Sequence, residues 1–132
     1  MQIAIVTVSD RASRGQYEDL SGPAIEDWLK EVITSPYQTV KRIIPDGMIS
    51  VRDELIRLCD EDQVDLILTT GGTGPAPRDE TPEAMREVLV KELPGFGEQL
   101  RRASLKQTPT AILSRQTAGT RGKTLIINLP GK

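Results

Sequence analysis

The chain has 132 residues, with 17 Lys and Arg against 19 Asp and Glu, and only four aromatic residues: Trp28, Tyr17, Tyr37 and Phe96. That length is one domain, long enough to bury roughly two-thirds of its unfolded surface without a disulfide or a metal. A net charge of −2 and so few rings argue against a dedicated nucleic-acid binder or a base-stacking platform. There is no histidine and one cysteine, Cys59, which removes imidazole catalysis, His-based metal sites, an internal disulfide and a cysteine cluster. The N-terminus lacks the basic and apolar regions of a signal peptide, and no apolar run reaches the ~20 residues of a membrane span. A cytoplasmic chain with no membrane partner is expected.

Residues 2–8 (QIAIVTV) are β-branched and nearly all apolar, which predicts a strand covered on both faces. Polar residues follow to Asp19. A helix then starts with Ser21 as cap and Pro23 in its first turn, carrying Ile25, Trp28, Leu29, Val32 and Ile33 as one apolar stripe. Ser35-Pro36 ends it, and Tyr37 to Ile44 alternates as a second strand. After the turn Pro45-Asp46-Gly47, Ser50 is read as the cap of a helix whose buried stripe is Val51, Leu55, Leu58 and Cys59. Cys59 is thus a core residue rather than a nucleophile.

Val64 to Thr70 is the clearest strand, and it runs straight into Gly71-Gly72-Thr73-Gly74. Thr81-Pro82-Glu83 opens a helix expected to reach about Leu93, where Pro94-Gly95 breaks before another, Phe96 to Leu105. Pro109 to Arg115 is ambiguous. Leu125 to Leu129 is a last strand. Alternating strands and helices without repeats predict a single α/β domain over 1–132 with a mainly parallel sheet.

Ligands of such sheets sit beyond the carboxyl ends of the strands. Four of those ends carry polar or glycine-rich turns: Ser9-Asp10-Arg11, Pro45-Asp46, Thr70 to Asp79, and Asn128-Leu129-Pro130-Gly131. Gly71 to Gly74 has two readings at this point. Its backbone N–H groups can approach an anion because no Cβ blocks them, or it is a tight turn that needs positive φ. Thr69, Thr70 and Thr73 add hydroxyls, and Arg78-Asp79 follows. Asp46 and Asp79 are the carboxylates singled out, since each follows a strand end or the glycine loop. Two carboxylates with phosphates and water suit Mg²⁺, although both positions are also locally favoured in a turn or at a helix start. Gly122-Lys123-Thr124 imitates the end of a Walker A motif, but its first glycine would be Thr117 and a strand follows where a helix should. Arg121-Gly122-Lys123 is read as a basic turn.

Taken together, Thr69-Thr70-Gly71-Gly72-Thr73-Gly74-Pro75, Arg78-Asp79, Thr81-Pro82-Glu83 and Asn128-Leu129-Pro130-Gly131 resemble the molybdopterin adenylyltransferases of molybdenum-cofactor synthesis. Ser9-Asp10-Arg11, Ile44-Pro45-Asp46, Leu93 to Glu98 and Ala111 to Arg115 match in the same order, most nearly the stand-alone bacterial (MogA-type) branch. The resemblance implies a three-layer α/β/α sandwich and an Mg²⁺-dependent transfer of AMP from ATP to the terminal phosphate of molybdopterin, releasing pyrophosphate. It places the functional aspartates at Asp46 and Asp79 and the glycine loop at Gly71–Gly74. Further substrate contacts fall at Ser114 and Asn128, beside Ser9, Asp10, Thr70, Thr73, Pro130 and Gly131, with Arg11, Arg78 and Arg115 as candidate cations. It also implies a homotrimer and a molybdate-insertion enzyme downstream. Two rival readings are a pterin-binding scaffold without turnover and a nucleotide or pyridine-nucleotide hydrolase on a related domain. Relatives continue past the Asn-Leu-Pro-Gly turn with another helix and strand. The C-terminal part of the family fold is therefore expected to be missing, leaving the last strand without its cover.

Overall fold

Successive side chains of a strand point to opposite faces, so the β1 sequence decides what must pack on each side of it. The computed structural model of the protein describes residues 1–131, and the last residue of the expected 1–132 domain lies outside them. In chain order the elements are β1 (Gln2–Val8), α1 (Asp10–Ser13), α2 (Ser21–Val32), β2 (Gln38–Ile44), α3 (Met48–Asp60), β3 (Leu66–Thr70), α4 (Thr81–Val88), β4 (Lys91–Glu92), α5 (Pro94–Leu105), a 3-10 turn (Pro109–Leu113), β5 (Ala118–Arg121) and β6 (Thr124–Leu129). The strands form one sheet in the order β2-β1-β3-β6-β5-β4. β2, β1, β3 and β6 are mutually parallel, and β5 lies antiparallel between β6 and β4.

Ala4, Val6 and Val8 face one core with Val51, Leu55, Leu58 and Cys59 of α3 and Ala84, Met85 and Val88 of α4. Ile3 and Ile5 face a second core, built on Leu29 of α2 and Leu68 of β3. Helices on both faces of the sheet make three layers, as expected. The α3 stripe at spacings of four, three and one is buried throughout, and a fully buried Leu or Val of this kind contributes about 1.5–3 kcal/mol. Among the described residues, no helix is long and apolar enough to cross a membrane.

The structure corrects several boundaries. Helix α4 stops at Val88, not near Leu93, and the chain then forms the short edge strand β4. Pro94 opens α5 instead of breaking before it, because proline at the first helical position loses no intrahelical bond. Asp19, not Ser21, caps the start of α2, its Oδ1 accepting from the Gly22 N–H at 3.1 Å. Helix α3 begins at Met48 behind Gly47, and Ser50 Oγ donates to the Pro45 carbonyl instead of capping. Trp28 is 55% exposed and Val32 49%, so only Leu29 of the expected α2 stripe is fully buried. The last strand is fully covered on one face and half-covered on the other. Ile126 and Asn128 are buried towards α3 and α4, while Leu125, Ile127 and Leu129 are half-buried on the other. Beside them an apolar groove of about 640 Å³ runs between Trp28 and the N-terminal part of α5, lined by Leu68, Leu93, Phe96, Leu100, Ile127 and Leu129.

Candidate functional site

Strand register assembles the site. Val8 is level with Ile44, Thr7 with Thr70, and Thr70 with Leu129, so the four polar turns leave the sheet at one rim. The chain runs from β1 to β2 on one side and later to β3 on the other. The rim between β1 and β3 is therefore the switch point where open α/β sheets bind ligands. A pocket of about 410 Å³ opens there. Ser9, Asp10, Arg11, Asp46, Thr70, Gly71, Gly72, Thr73, Gly74, Arg78, Asp79, Ser114, Pro130 and Gly131 all line it, which is every site residue expected from the sequence except two.

The exceptions are Asn128 and Arg115. Asn128 is fully buried behind the wall, with Nδ2 donating to Thr69 Oγ1 (2.9 Å) and Oδ1 accepting from the Thr117 N–H (3.3 Å). Its amide joins β3 to the chain entering β5 and does not face the pocket. Arg115 lies on the far side of the glycine loop, with Nε donating to the Gly74 carbonyl (3.0 Å) and Nη2 to that of Asp79 (2.7 Å). A sequence alone does not reveal which side of a loop a guanidinium takes.

Glycine is required at the first two loop positions by both backbone angle and space. Gly71 (φ +99°) and Gly72 (φ +70°) adopt the left-handed region, and a Cβ would lie 2.3 Å from the Val8 carbonyl oxygen and 2.3 Å from Thr81 Oγ1 respectively. The positive-φ reading of the loop thus holds. Gly71 N–H donates to the Leu129 carbonyl (3.2 Å), tying β3 to β6, whereas the N–H groups of Gly72, Thr73 and Gly74 have no acceptor among the described residues. Three unpaired donors on one bend are the arrangement that anion-binding concavities use.

Two carboxylates flank it. Asp46 and Asp10 are held by each other's backbone, Asp10 N–H donating to Asp46 Oδ2 (3.0 Å) and Asp46 N–H to Asp10 Oδ1 (2.9 Å). Burial pushes the Asp46 carboxyl above its ordinary value, helped by the charges of Asp10 and Asp79 and opposed by the Asp10 N–H bond and by Arg78. Asp79 Oδ2 accepts from the Ala76 N–H (3.1 Å). Each of Asp46 and Asp79 therefore keeps one oxygen without a partner among the described residues. No group of three ligating side chains among those residues could cage a metal. The donor set fits Mg²⁺, which takes one or two carboxylates and completes its octahedron with phosphate and water.

Some lining residues carried no expectation. Asp19 accepts from Thr7 Oγ1 (3.0 Å), Ser21 Oγ donates to the Gly131 carbonyl (3.1 Å), and Arg11 stacks on Tyr17 at 5.1 Å from the ring centroid. For Asp19 the signal was present: an Asp three residues before a helical Gly is a cap pattern.

The site is thus a polar pocket at the switch point of an α/β domain, with a glycine bend of free N–H groups and two half-engaged carboxylates. The chain belongs to the probable molybdopterin binding domain family, whose model matches residues 4–132. It is 56% identical to the molybdopterin adenylyltransferase of Helicobacter pylori (strain J99) over 100% of this chain and 75% of that protein. The molybdopterin adenylyltransferase of Escherichia coli (strain K12) is 50% identical over 100% of this chain and 68% of that protein. Among solved structures, the molybdopterin biosynthesis enzyme MoaB of Thermus thermophilus superposes with a TM-score of 0.89 at 45% identity, covering 99% of this chain and 81% of that one.

Proposed function

We propose that this chain adenylylates molybdopterin, with ATP as the donor and Mg²⁺ as the metal. An oxygen of the terminal phosphate of molybdopterin attacks the α-phosphorus of ATP. The bond from that phosphorus to the β-bridging oxygen breaks, and pyrophosphate leaves with the electron pair. A phosphomonoester with second pKa ≈ 6 is largely ionised at pH 7, so no general base is needed and a chain without histidine suffices. What the protein supplies is alignment and charge neutralisation. The N–H groups of Gly72, Thr73 and Gly74 donate to phosphate oxygens, Arg11 and Arg78 approach the same charges, and Asp46 and Asp79 hold the metal. Bound Mg²⁺ supplies Lewis acidity and offsets the phosphate charge. Ser9, Asp10, Thr70, Ser114, Pro130 and Gly131 shape the walls.

The observation that carries this reading is the convergence of Asp46, Asp79 and three unpaired loop N–H groups on one pocket. Incubation with ATP, Mg²⁺ and molybdopterin tests it. Pyrophosphate release that depends on molybdopterin supports it. Phosphate release without the pterin would select the hydrolase, and pterin binding without ATP consumption would select the scaffold. The family resemblance extends the proposal to a homotrimer in the cytoplasm that passes its product to a molybdate-insertion enzyme. Mass by light scattering tests the trimer.

A further inference from the structure

Arg115 grips the phosphate-side loop at several points, and it does so entirely from behind. Its own N–H donates to the Thr73 carbonyl (2.8 Å), Nε to that of Gly74 (3.0 Å), and Nη2 to that of Asp79 (2.7 Å). Nη1 and Nη2 also grip the Glu83 carboxylate, at 2.6 and 3.2 Å, one turn into α4. The planar fork of arginine matches such a set, and lysine, with a compact charge on a flexible stem, does not.

These bonds have a consequence for the pocket side. No peptide bond among the described residues is cis. In a planar trans peptide the C=O and N–H point in opposite directions. Turning the Thr73 carbonyl towards Arg115 therefore turns the Gly74 N–H away from it. Carbonyl oxygens that would repel phosphate are drawn back at Thr73 and Gly74. The Asp79 main chain is anchored at its carbonyl while its carboxylate faces the pocket. Glu83 holds the guanidinium in register. Arg115 in turn keeps the Glu83 carboxyl below the usual carboxylate range, so the pair stays charged at neutral pH.

We propose that Arg115 is a positioning residue, clamped by Glu83, which presets the Thr73–Asp79 segment for the substrate phosphates without touching them. The proposal rests on the nucleotidyl-transfer reading of the pocket, but its central contact can be read independently of turnover.

The test compares Arg115→Lys, Glu83→Gln and the double variant by amide hydrogen exchange and by steady-state kinetics with ATP and molybdopterin. Exchange in the peptide covering residues 72–80 should rise in each variant while that of β1 and β3 is unchanged. The kcat should fall about tenfold or more with KM for ATP changed less than about threefold, and the double variant should be no worse than Arg115→Lys, since the two residues act as one unit. Glu83→Gln keeps the arginine and is the milder change should Arg115→Lys fold poorly. If Arg115 met phosphate directly, Arg115→Lys would raise KM for ATP more than about threefold with normal exchange at 72–80, and Glu83→Gln would leave both kcat and that exchange at wild-type values. Either result overturns the clamp, as does looser exchange with wild-type kinetics. A wild-type chain that transfers no adenylyl group refutes the functional reading, and the exchange data still decide the clamp.

Discussion

Gly72 and Gly74 sit two residues apart in one bend, yet alanine at the two positions should fail in different ways. At Gly72 the backbone has φ +70° and the new Cβ would lie 2.3 Å from Thr81 Oγ1. The left-handed conformation costs a residue with a Cβ about 1–2 kcal/mol. Displacing Thr81 also breaks its hydroxyl bond to the Gly71 carbonyl (3.1 Å), which adds about 0.5–1.5 kcal/mol. The sum, about 1.5–3.5 kcal/mol, lowers the melting temperature of a domain this size by roughly 5–15 °C. Gly74 differs on both counts. Its φ lies outside the left-handed region, and the nearest atom to an added Cβ is Asp79 Oδ2 at 2.9 Å, the end of a side chain that can move. The lower entropy of the unfolded alanine chain offsets about 0.4–1 kcal/mol of any strain. Gly74→Ala should therefore melt within a few degrees of wild type, about 3 °C at most, while the shifted Asp79 carboxylate reduces kcat about tenfold. Thermal melts and pyrophosphate release measure the two effects. A Gly72→Ala protein as stable as wild type, or a Gly74→Ala protein with wild-type kcat, would refute the division of labour.

Asp79→Asn should keep the fold and reduce adenylyl transfer by a factor of about a hundred or more, as the loss of a charged group acting on the transition state does; Asp46→Asn should do the same, each read by pyrophosphate release beside a melting curve. Glu83→Gln should be less stable than wild type at neutral pH, because a carboxyl held low in the folded state contributes stability above its unfolded pKa. That contribution is lost as pH falls through the folded value, so the two melting temperatures should converge in acid, and a constant gap would be inconsistent with the ion pair. Ile126→Ala should cost about 3 kcal/mol in urea titrations and Ile127→Ala less than half of that, since Ile126 is fully buried and Ile127 borders an open groove.

Most of what positions the site was readable because it follows from strand ends. Four strands ending in polar or glycine-rich turns predict a shared rim, and the register places them there. The β5 strand was missed because Ala118-Gly119-Thr120-Arg121 is short and holds a glycine, which weakens a strand signal. Its reason is tertiary: a Cβ on Gly119 would lie 2.3 Å from the Lys91 carbonyl oxygen of the neighbouring edge strand. Trp28 belongs to the helical period of α2, but periodicity does not report where the layer beneath ends, and its ring borders the groove instead of the core. Asn128 and Arg115 lie beside the pocket without lining it. Both are polar groups whose partners are main-chain, hydroxyl or carboxylate groups distant in sequence, and no local pattern encodes that choice.

The charge of the pocket makes a last demand. Asp10, Asp19, Asp46 and Asp79 line it against Arg11 and Arg78, so its carboxylates outnumber its guanidiniums by two. Such a lining repels a bare triphosphate. Two unit charges about 6 Å apart interact by about 1–3 kcal/mol between the dielectric of water and that of a protein surface, or roughly 5- to 100-fold in affinity per carboxylate. The unpaired loop N–H groups draw phosphate without changing this balance, since they carry no net charge. The same arithmetic reverses its sign once a divalent cation accompanies the nucleotide. Two carboxylates that each retain one unpartnered oxygen then become attractive. Wild-type protein should therefore bind ATP at least about tenfold more weakly with excess chelator than with Mg²⁺. Asp46→Asn should bind chelated ATP more tightly than wild type does and gain much less from the metal. Calorimetric titration with and without chelator reads both. Equal binding of ATP by wild-type protein in the two conditions would mean that the paired carboxylates do not serve the metal.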